Sequence, residues 1–128
     1  MGRKIFETVQ LNHLTTKNRL IRSATWEGLS DFDGSISDEA YEIYREVARG
    51  GIGAVIVGFT DVSDDDHYIH GAMRLSRDEL IPKYRKLVDI IHAEGCPVIS
   101  QLAMGAYYRK LPRKMKASKF ASFLLRTE

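Results

Sequence analysis

The sequence predicts an α/β fold built on a parallel sheet, and three observations predict it. Short apolar runs rich in β-branched residues alternate with longer segments of helical periodicity, the order that feeds parallel strands. Residues 52–59 are apolar almost throughout, as in a strand covered on both faces. The segments between apolar runs are long enough for the right-handed crossovers that parallel neighbours require.

The elements follow in order. Residues 5–19 read as a β-hairpin: Phe6, Val9 and Leu11 are apolar, and Asn12-His13-Leu14-Thr15-Thr16 supplies turn formers. Residues 20–24 are the first strand of the sheet, and Asp31, Asp33 and Gly34 mark the loop behind it. Ser37 is placed to cap a helix over 38–49. Asp38 and Glu39 fall in its first turn, where the positive end of the helix dipole favours carboxylates. Tyr41, Tyr44 and Ala48 share one face with Val47 beside them, and Gly50-Gly51 ends the helix. Residues 53–59 form the second strand and residues 60–75 a long polar loop. Ser76-Arg77-Asp78-Glu79 has the pattern of a capping box, but Pro82 brings no backbone donor. A short turn over 77–80 is therefore expected, with the main helix over 82–94 and Pro82 at its first position. Tyr84, Leu87, Val88 and Ile91 make its buried stripe, and Gly95 stops it. Residues 97–102 are the third strand.

A chain of 128 residues with 44% apolar residues has the make-up of one domain or less. No run of 18 apolar residues occurs, so no membrane-spanning helix is expected. Met1-Gly2-Arg3-Lys4 is basic, but Glu7 follows it rather than an apolar core, so it does not read as a signal peptide. The single cysteine, Cys96, excludes an internal disulfide and fits a reducing cytoplasm. The net charge of +2 hides an asymmetry. Residues 1–109 carry an excess of acid, whereas residues 110–128 carry Lys110, Arg113, Lys114, Lys116, Lys119 and Arg126 against Glu128 alone. The boundary divides a folded part, 1–109, from a basic tail, 110–128, that is not a domain. The tail holds Phe120, Ala121, Phe123, Leu124 and Leu125 among its lysines and reads as either an amphipathic helix or a disordered stretch. It contains no recognisable binding module, so neither nucleic acid nor membrane is an expected partner.

In parallel α/β folds the site lies at the carboxyl ends of the strands. The three ends here are Ala24-Thr25-Trp26, Gly58 and Gln101. Residues 17–28 pass from a polar turn through a short apolar strand into small, hydroxylated residues, which leaves N–H groups and a hydroxyl facing open space. A small residue at 58 lets a planar ring approach the backbone, and the amide of Gln101 both donates and accepts, as a flavin pyrimidine edge requires. Each feature alone is ordinary strand-end chemistry; three at successive strand ends point to a ring site. Trp26 is an aromatic wall beside a ring or substrate, or a packing residue above the strand ends. Glu27 reads as a solvated loop carboxylate rather than an acid or base. Asp64-Asp65-Asp66-His67-Tyr68-Ile69-His70 reads as a solvated, substrate-facing loop rather than a metal site, and no metal is expected. His92 suits the end of the second helix, and Cys96 a buried position at the amino end of its strand. Tyr107-Tyr108-Arg109 reads as a mobile loop after the third strand.

The run Lys17-Asn18-Arg19-Leu20-Ile21-Arg22-Ser23-Ala24-Thr25-Trp26-Glu27-Gly28 resembles the first barrel strand of the Old Yellow Enzyme family of FMN-dependent oxidoreductases. Gly50-Gly51-Ile52-Gly53-Ala54-Val55-Ile56-Val57-Gly58 and Gly95-Cys96-Pro97-Val98-Ile99-Ser100-Gln101-Leu102 are similar to its second and third strands, in order. The resemblance covers about residues 5–109. It implies a partial TIM (β/α)8 barrel, the first three βα units, with an N-terminal β-hairpin. It implies that Ser23, Ala24, Thr25, Gly58 and Gln101 contact FMN, and that NAD(P)H reduces the flavin, which passes hydride to a small electron acceptor such as an activated alkene. Ala24 stands where many relatives carry Pro, and Trp26 where some carry a Cys or Thr that tunes the flavin. The resemblance also places the phosphate-binding Arg and Gly residues, the substrate-binding His pair or His/Asn pair and the proton-donating Tyr in later strands. A complete barrel takes roughly 250 residues, so the chain is expected to be an N-terminal fragment whose open sheet edges invite self-association. The alternatives are a dihydroorotate dehydrogenase-like FMN barrel, against which residues 23–28 and Gln101 argue, and a truncated or frame-shifted remnant without activity.

Overall fold

The computed structural model describes residues 3–64 and 70–103. The tail, Tyr107-Tyr108-Arg109 and positions 65–69 of the acidic loop lie outside the described residues.

A hairpin opens the fold. β1 (Val9–Leu11) pairs antiparallel with β2 (Leu14–Thr16), and Asn12 turns the corner at φ +52°, a left-handed conformation that Asn tolerates. A single 3-10 turn, Lys4–Phe6, precedes it, so Phe6 lies outside the hairpin and is 61% exposed. Asn18 fastens the hairpin's exit. Its Nδ2 donates to the Gly51 carbonyl at 2.7 Å and its Oδ1 accepts from the Leu20 amide at 3.0 Å.

The sheet forms around one central strand. β3 (Ile21–Arg22), β4 (Ala54–Asp61), β5 (Met73–Arg74) and β6 (Val98–Ala103) are parallel, and β4 pairs with the other three. β6 follows one edge of β4 from Val55↔Val98 to Asp61↔Ala103. The other edge is shared head to tail: β3 pairs at Ile21↔Ala54 and Arg22↔Val55, and β5 at Thr60↔Met73 and Asp61↔Arg74. Between them neither strand pairs with residues 56–59.

Two helices cover one face. α1 (Asp38–Arg49) begins where expected because Ser37 Oγ accepts from the Ala40 amide at 3.2 Å. α2 (Ile81–Ala93) presents Tyr84, Leu87 and Ile91, all buried. With Tyr41, Tyr44 and Ala48 of α1 they close over Val55 and Val57 of β4 and over Cys96, which is the core. On the opposite face Ile21 and Ile99 are exposed.

The expected order of strand, helix, strand, helix, strand is present, with four departures. The first strand ends at Arg22 rather than at 24, because the chain turns away: Thr25 Oγ1 donates to the Ser23 carbonyl at 3.2 Å. Residues 60–75 are not a polar loop throughout. β4 runs on to Asp61, and Ala72, Met73 and Arg74 are buried. Asp61 and Arg74 are opposite in register, which lets two charged residues lie side by side inside. α2 starts at Ile81, so Pro82 is its second residue, still in the first turn where an amide has no helical partner. No capping box forms: Ser76 Oγ donates instead to Asp64 Oδ1 at 2.6 Å, and the 3-10 turn Asp78–Leu80 has no side-chain cap.

The approach of the hairpin exit to β4 depends on Gly53. A Cβ there would lie 2.4 Å from the Asn18 carbonyl oxygen, and neither backbone has room to yield. Gly53→Ala is expected to destabilise the fold by about 1–3 kcal/mol, measured as a lower midpoint in urea unfolding followed by far-UV circular dichroism.

Candidate active site at the strand ends

The site begins with a charge on the wrong kind of strand. Arg22 is in register with Val55, so its side chain leaves the sheet on the helix-covered side. A guanidinium there needs an acid, since an unpaired charge out of water is costly. Glu27 supplies it: Arg22 Nη2 donates to Glu27 Oε1 at 2.5 Å, with the two side chains only 19% and 10% exposed. Tyr44 of α1 completes the cluster. Its hydroxyl donates to Glu27 Oε2 at 3.1 Å, and the Arg22 guanidinium lies over its ring, 5.3 Å from the centroid. Burial pushes the Tyr44 phenol up to about 12 and the adjacent Glu27 carboxylate acts in the same direction, while the nearby Gly58 backbone amide acts against them.

This cluster bends the chain. With Arg22 and Glu27 joined, the four residues between them form an arch beyond the end of β3. Ser23 and Thr25 are exposed on it and Ala24 is half-buried. Trp26 is 53% exposed, and its Nε1 donates to the His70 carbonyl at 3.2 Å, so it leans against the loop before β5.

The second and third strand ends meet at a β-bulge. The pairing of β4 with β6 shifts between Val57 and Thr60, so that Gly58 and Phe59 stand opposite Gln101. Gly58 has φ +131°, and a Cβ on it would lie 2.8 Å from the Gln101 carbonyl oxygen and 3.1 Å from its Cβ. The glycine is therefore required by the close approach of β6, whatever else it admits. Gln101 itself is exposed.

The five residues expected to meet a flavin thus occupy the three adjacent strand ends. Gly58 and Gln101 are in contact, and the arch of Ser23, Ala24 and Thr25 is linked to Gly58 through Glu27 and Tyr44. The residues at these strand ends are of the kinds a flavin ring uses: two hydroxyls, one of them bonded to the Ser23 carbonyl, an exposed carboxamide, and a glycine with no side chain to obstruct a ring.

Glu27 corrects the sequence reading, because its side chain is only 10% exposed and paired with Arg22 rather than solvated. The signal was available in Arg22, a cation on an otherwise apolar strand, with Glu27 the next acid in the chain. Cys96 is buried, its Sγ is 3.6 Å from the Ile52 carbonyl, and burial pushes its thiol up. Asp64 pairs with Arg77 at 3.5 Å and faces Arg74 at 3.7 Å. A cavity of about 270 Å³ beside the arch is lined by Phe32, His70, Ala72 and Arg74 among others.

The raised phenols make the fold sensitive to base. Tyr84 is buried, bonded to the Thr60 hydroxyl, and shifted upward like Tyr44. A phenol that holds its proton more tightly when folded stabilises fully below its unfolded value, about 10, and loses that contribution as pH rises toward the folded one. Stability is therefore expected to fall between about pH 10 and 12, and less steeply in Tyr44→Phe. Urea midpoints of both proteins across that interval check it.

Comparison with known proteins agrees with the geometry. The family model described as "NADH:flavin oxidoreductase / NADH oxidase family" matches residues 4–122. The chain is 35% identical over 98 residues to a 4,4'-dithiodibutanoate disulfide reductase of Rhodococcus erythropolis, covering 77% of this chain and 24% of that protein. It is 31% identical over 121 residues to an NADPH dehydrogenase of Listeria monocytogenes, covering 94% and 36%. A 2-naphthoyl-CoA reductase structure superposes with a TM-score of 0.74 at 29% identity, over 77% of this chain and 15% of that one. The old yellow enzyme homologue of Zymomonas mobilis superposes with a TM-score of 0.71 at 20% identity, over 78% and 28%, a likeness of fold. The chain thus spans about a quarter to a third of the two curated relatives named. With the strand order and helix placement described, these matches make it an α/β partial barrel, and it belongs to the NADH:flavin oxidoreductase / NADH oxidase family.

Proposed function

We propose that this chain builds the ring-side wall of an FMN-dependent oxidoreductase site from the first three βα units of a (β/α)8 barrel. The observation that supports it best is the meeting of Gly58 and Gln101 at the bulge, with the arch of Ser23, Ala24 and Thr25 beside them. Bound FMN supplies hydride transfer from NAD(P)H to a small electrophilic acceptor, for which an activated alkene is the reading taken from the family resemblance. The residues present hold and orient. The Gln101 carboxamide donates to and accepts from the pyrimidine edge, the Ser23 and Thr25 hydroxyls offer further polar contacts, and Gly58 leaves room for a planar ring. Trp26 walls the acceptor side. The name of the Listeria relative supports the nicotinamide reductant. The lone buried Cys96 supports a reducing, cytoplasmic setting.

Turnover on this reading needs strands beyond those described, which would carry the phosphate grip and the proton donor. β3 and β6 each pair only with β4 among the described residues, and their outer edges are where such strands, or a second copy of the chain, would pair.

The 128-residue chain is accordingly expected to bind FMN weakly, with a dissociation constant above about 1 μM, and to bind lumiflavin, which lacks the phosphate, about equally. Gln101→Leu is expected to weaken both by about 1–3 kcal/mol, because it leaves ring polar groups unpaired. Flavin fluorescence titrations test this. FMN binding much tighter than lumiflavin would place a phosphate site within the chain, and unchanged affinity in Gln101→Leu would remove that residue from the site.

A further inference from the structure

We infer that Arg22, Glu27 and Tyr44 are positioning residues: their buried cluster holds the arch of residues 23–26 at a set distance from Gly58, and so sets the opening that the flavin ring enters. The inference rests on the flavin reading above and deepens it. None of the three is argued to touch the ring.

Three observations carry it. First, the ion pair joins the two residues that bracket the arch, and no other. Arg22 is the last residue of β3, Glu27 is the first residue after Trp26, and their side chains meet at 2.5 Å. Second, the pair is enclosed. The two side chains are 19% and 10% exposed, whereas both partners of the Arg49–Glu46 pair on the helix surface are more than half exposed. An enclosed pair keeps its geometry, since a released charge would have no water to receive it. Third, Tyr44 spans from the arch to the second strand. Its hydroxyl donates to Glu27 Oε2 on one side and lies near the Gly58 amide on the other. Gly58 lies on the stretch of β4 that neither β3 nor β5 covers, so α1 reaches the strand there. The chain of contacts runs from Arg22 to Glu27, Tyr44, Gly58 and Gln101, which is from the first strand end to the third.

A purely stabilising cluster would affect melting and leave the arch as it is when the variant still folds. A positioning cluster controls the arch itself. Trp26, the only tryptophan, is on the arch and reports it directly. The experiment uses the full 128-residue chain and compares the parent with Glu27→Gln and Tyr44→Phe. Glu42→Gln, in the exposed Arg45–Glu42 pair, is the control. Far-UV circular dichroism establishes that each is folded. Time-resolved Trp26 anisotropy reads arch motion, and FMN quenching of Trp26 reads ring placement.

The expected result is a fast nanosecond component of Trp26 motion in Glu27→Gln, absent from the parent and from Glu42→Gln. The FMN concentration for half-maximal quenching should rise about tenfold with it, as misplaced contacts lose their fit. Tyr44→Phe keeps the ion pair but loses the hydroxyl's bond to Glu27, and should show a smaller effect of the same kind. It carries the test alone if Glu27→Gln does not fold. Unaltered Trp26 anisotropy in a folded variant would overturn the inference. Altered anisotropy with unaltered FMN quenching would overturn it as well, since the arch would then move without consequence for the ring. A parent that shows no FMN quenching at millimolar flavin would instead overturn the flavin reading, while its anisotropy still decides whether the cluster holds the arch.

Discussion

A charge that cannot face water organises this structure. Arg22 ends β3 on the helix-covered side of the sheet, so its guanidinium must find a carboxylate within the protein. Glu27 is the carboxylate it finds, and drawing Glu27 inward forces the chain to turn back after only two strand residues. That early turn leaves part of the β4 edge without a strand partner and leaves its upper end for β5. It also places Tyr44 where its hydroxyl serves the carboxylate and lies near the β4 backbone. The arch, the uncovered edge and the late entry of β5 all go with the enclosure of one cation, Arg22.

The strand ends divide their tasks accordingly. Gly58 has no side chain because β6 comes too close, and the same vacancy leaves room above the sheet. Gln101 is free to face outward because the bulge, rather than its own side chain, sets the approach of the strands. The hydroxyls of Ser23 and Thr25 are exposed because their neighbours at 22 and 27 make the anchoring contacts. On the proposed reading Gln101 and Ser23 meet the ligand, while the Arg22–Glu27 pair and the bulge set the backbone that presents them.

The helices and the three long-range parallel strands were legible because their signals are local and repeated. Ser37, Gly50 and the tyrosines of α1 specify a helix within its own 12 residues, and the apolar run of β4 admits little else. The strand-end positions 58 and 101 followed from those boundaries. Glu27 was only half legible: Arg22 on its short strand called for an acid, but Tyr44, which completes the enclosure, lies in a different element. β5 was missed for a related reason. Two residues offer no period, and Arg74 looks like a surface residue until Asp61 is beside it in register. The start of α2 moved by one residue because Pro82 is compatible with more than one place in a first turn, where no amide has a helical partner.

The bulge at Gly58 has a consequence for how this strand tolerates change. Side chains alternate along a strand, so Val55 and Val57 point to the helices and an unbroken count would send position 59 and then 61 after them. The extra residue resets that count. It is Thr60 that reaches α2, through its bond with the Tyr84 hydroxyl, and the charged Asp61 is kept off the apolar layer. Position by position, β4 will accept conservative exchanges. Loss of one residue between Val57 and Thr60 would restore plain alternation, with Thr60 still toward the helices and Asp61 still away from them. What would vanish is the bulge opposite Gln101, so the extra residue answers to the strand end and not to the core.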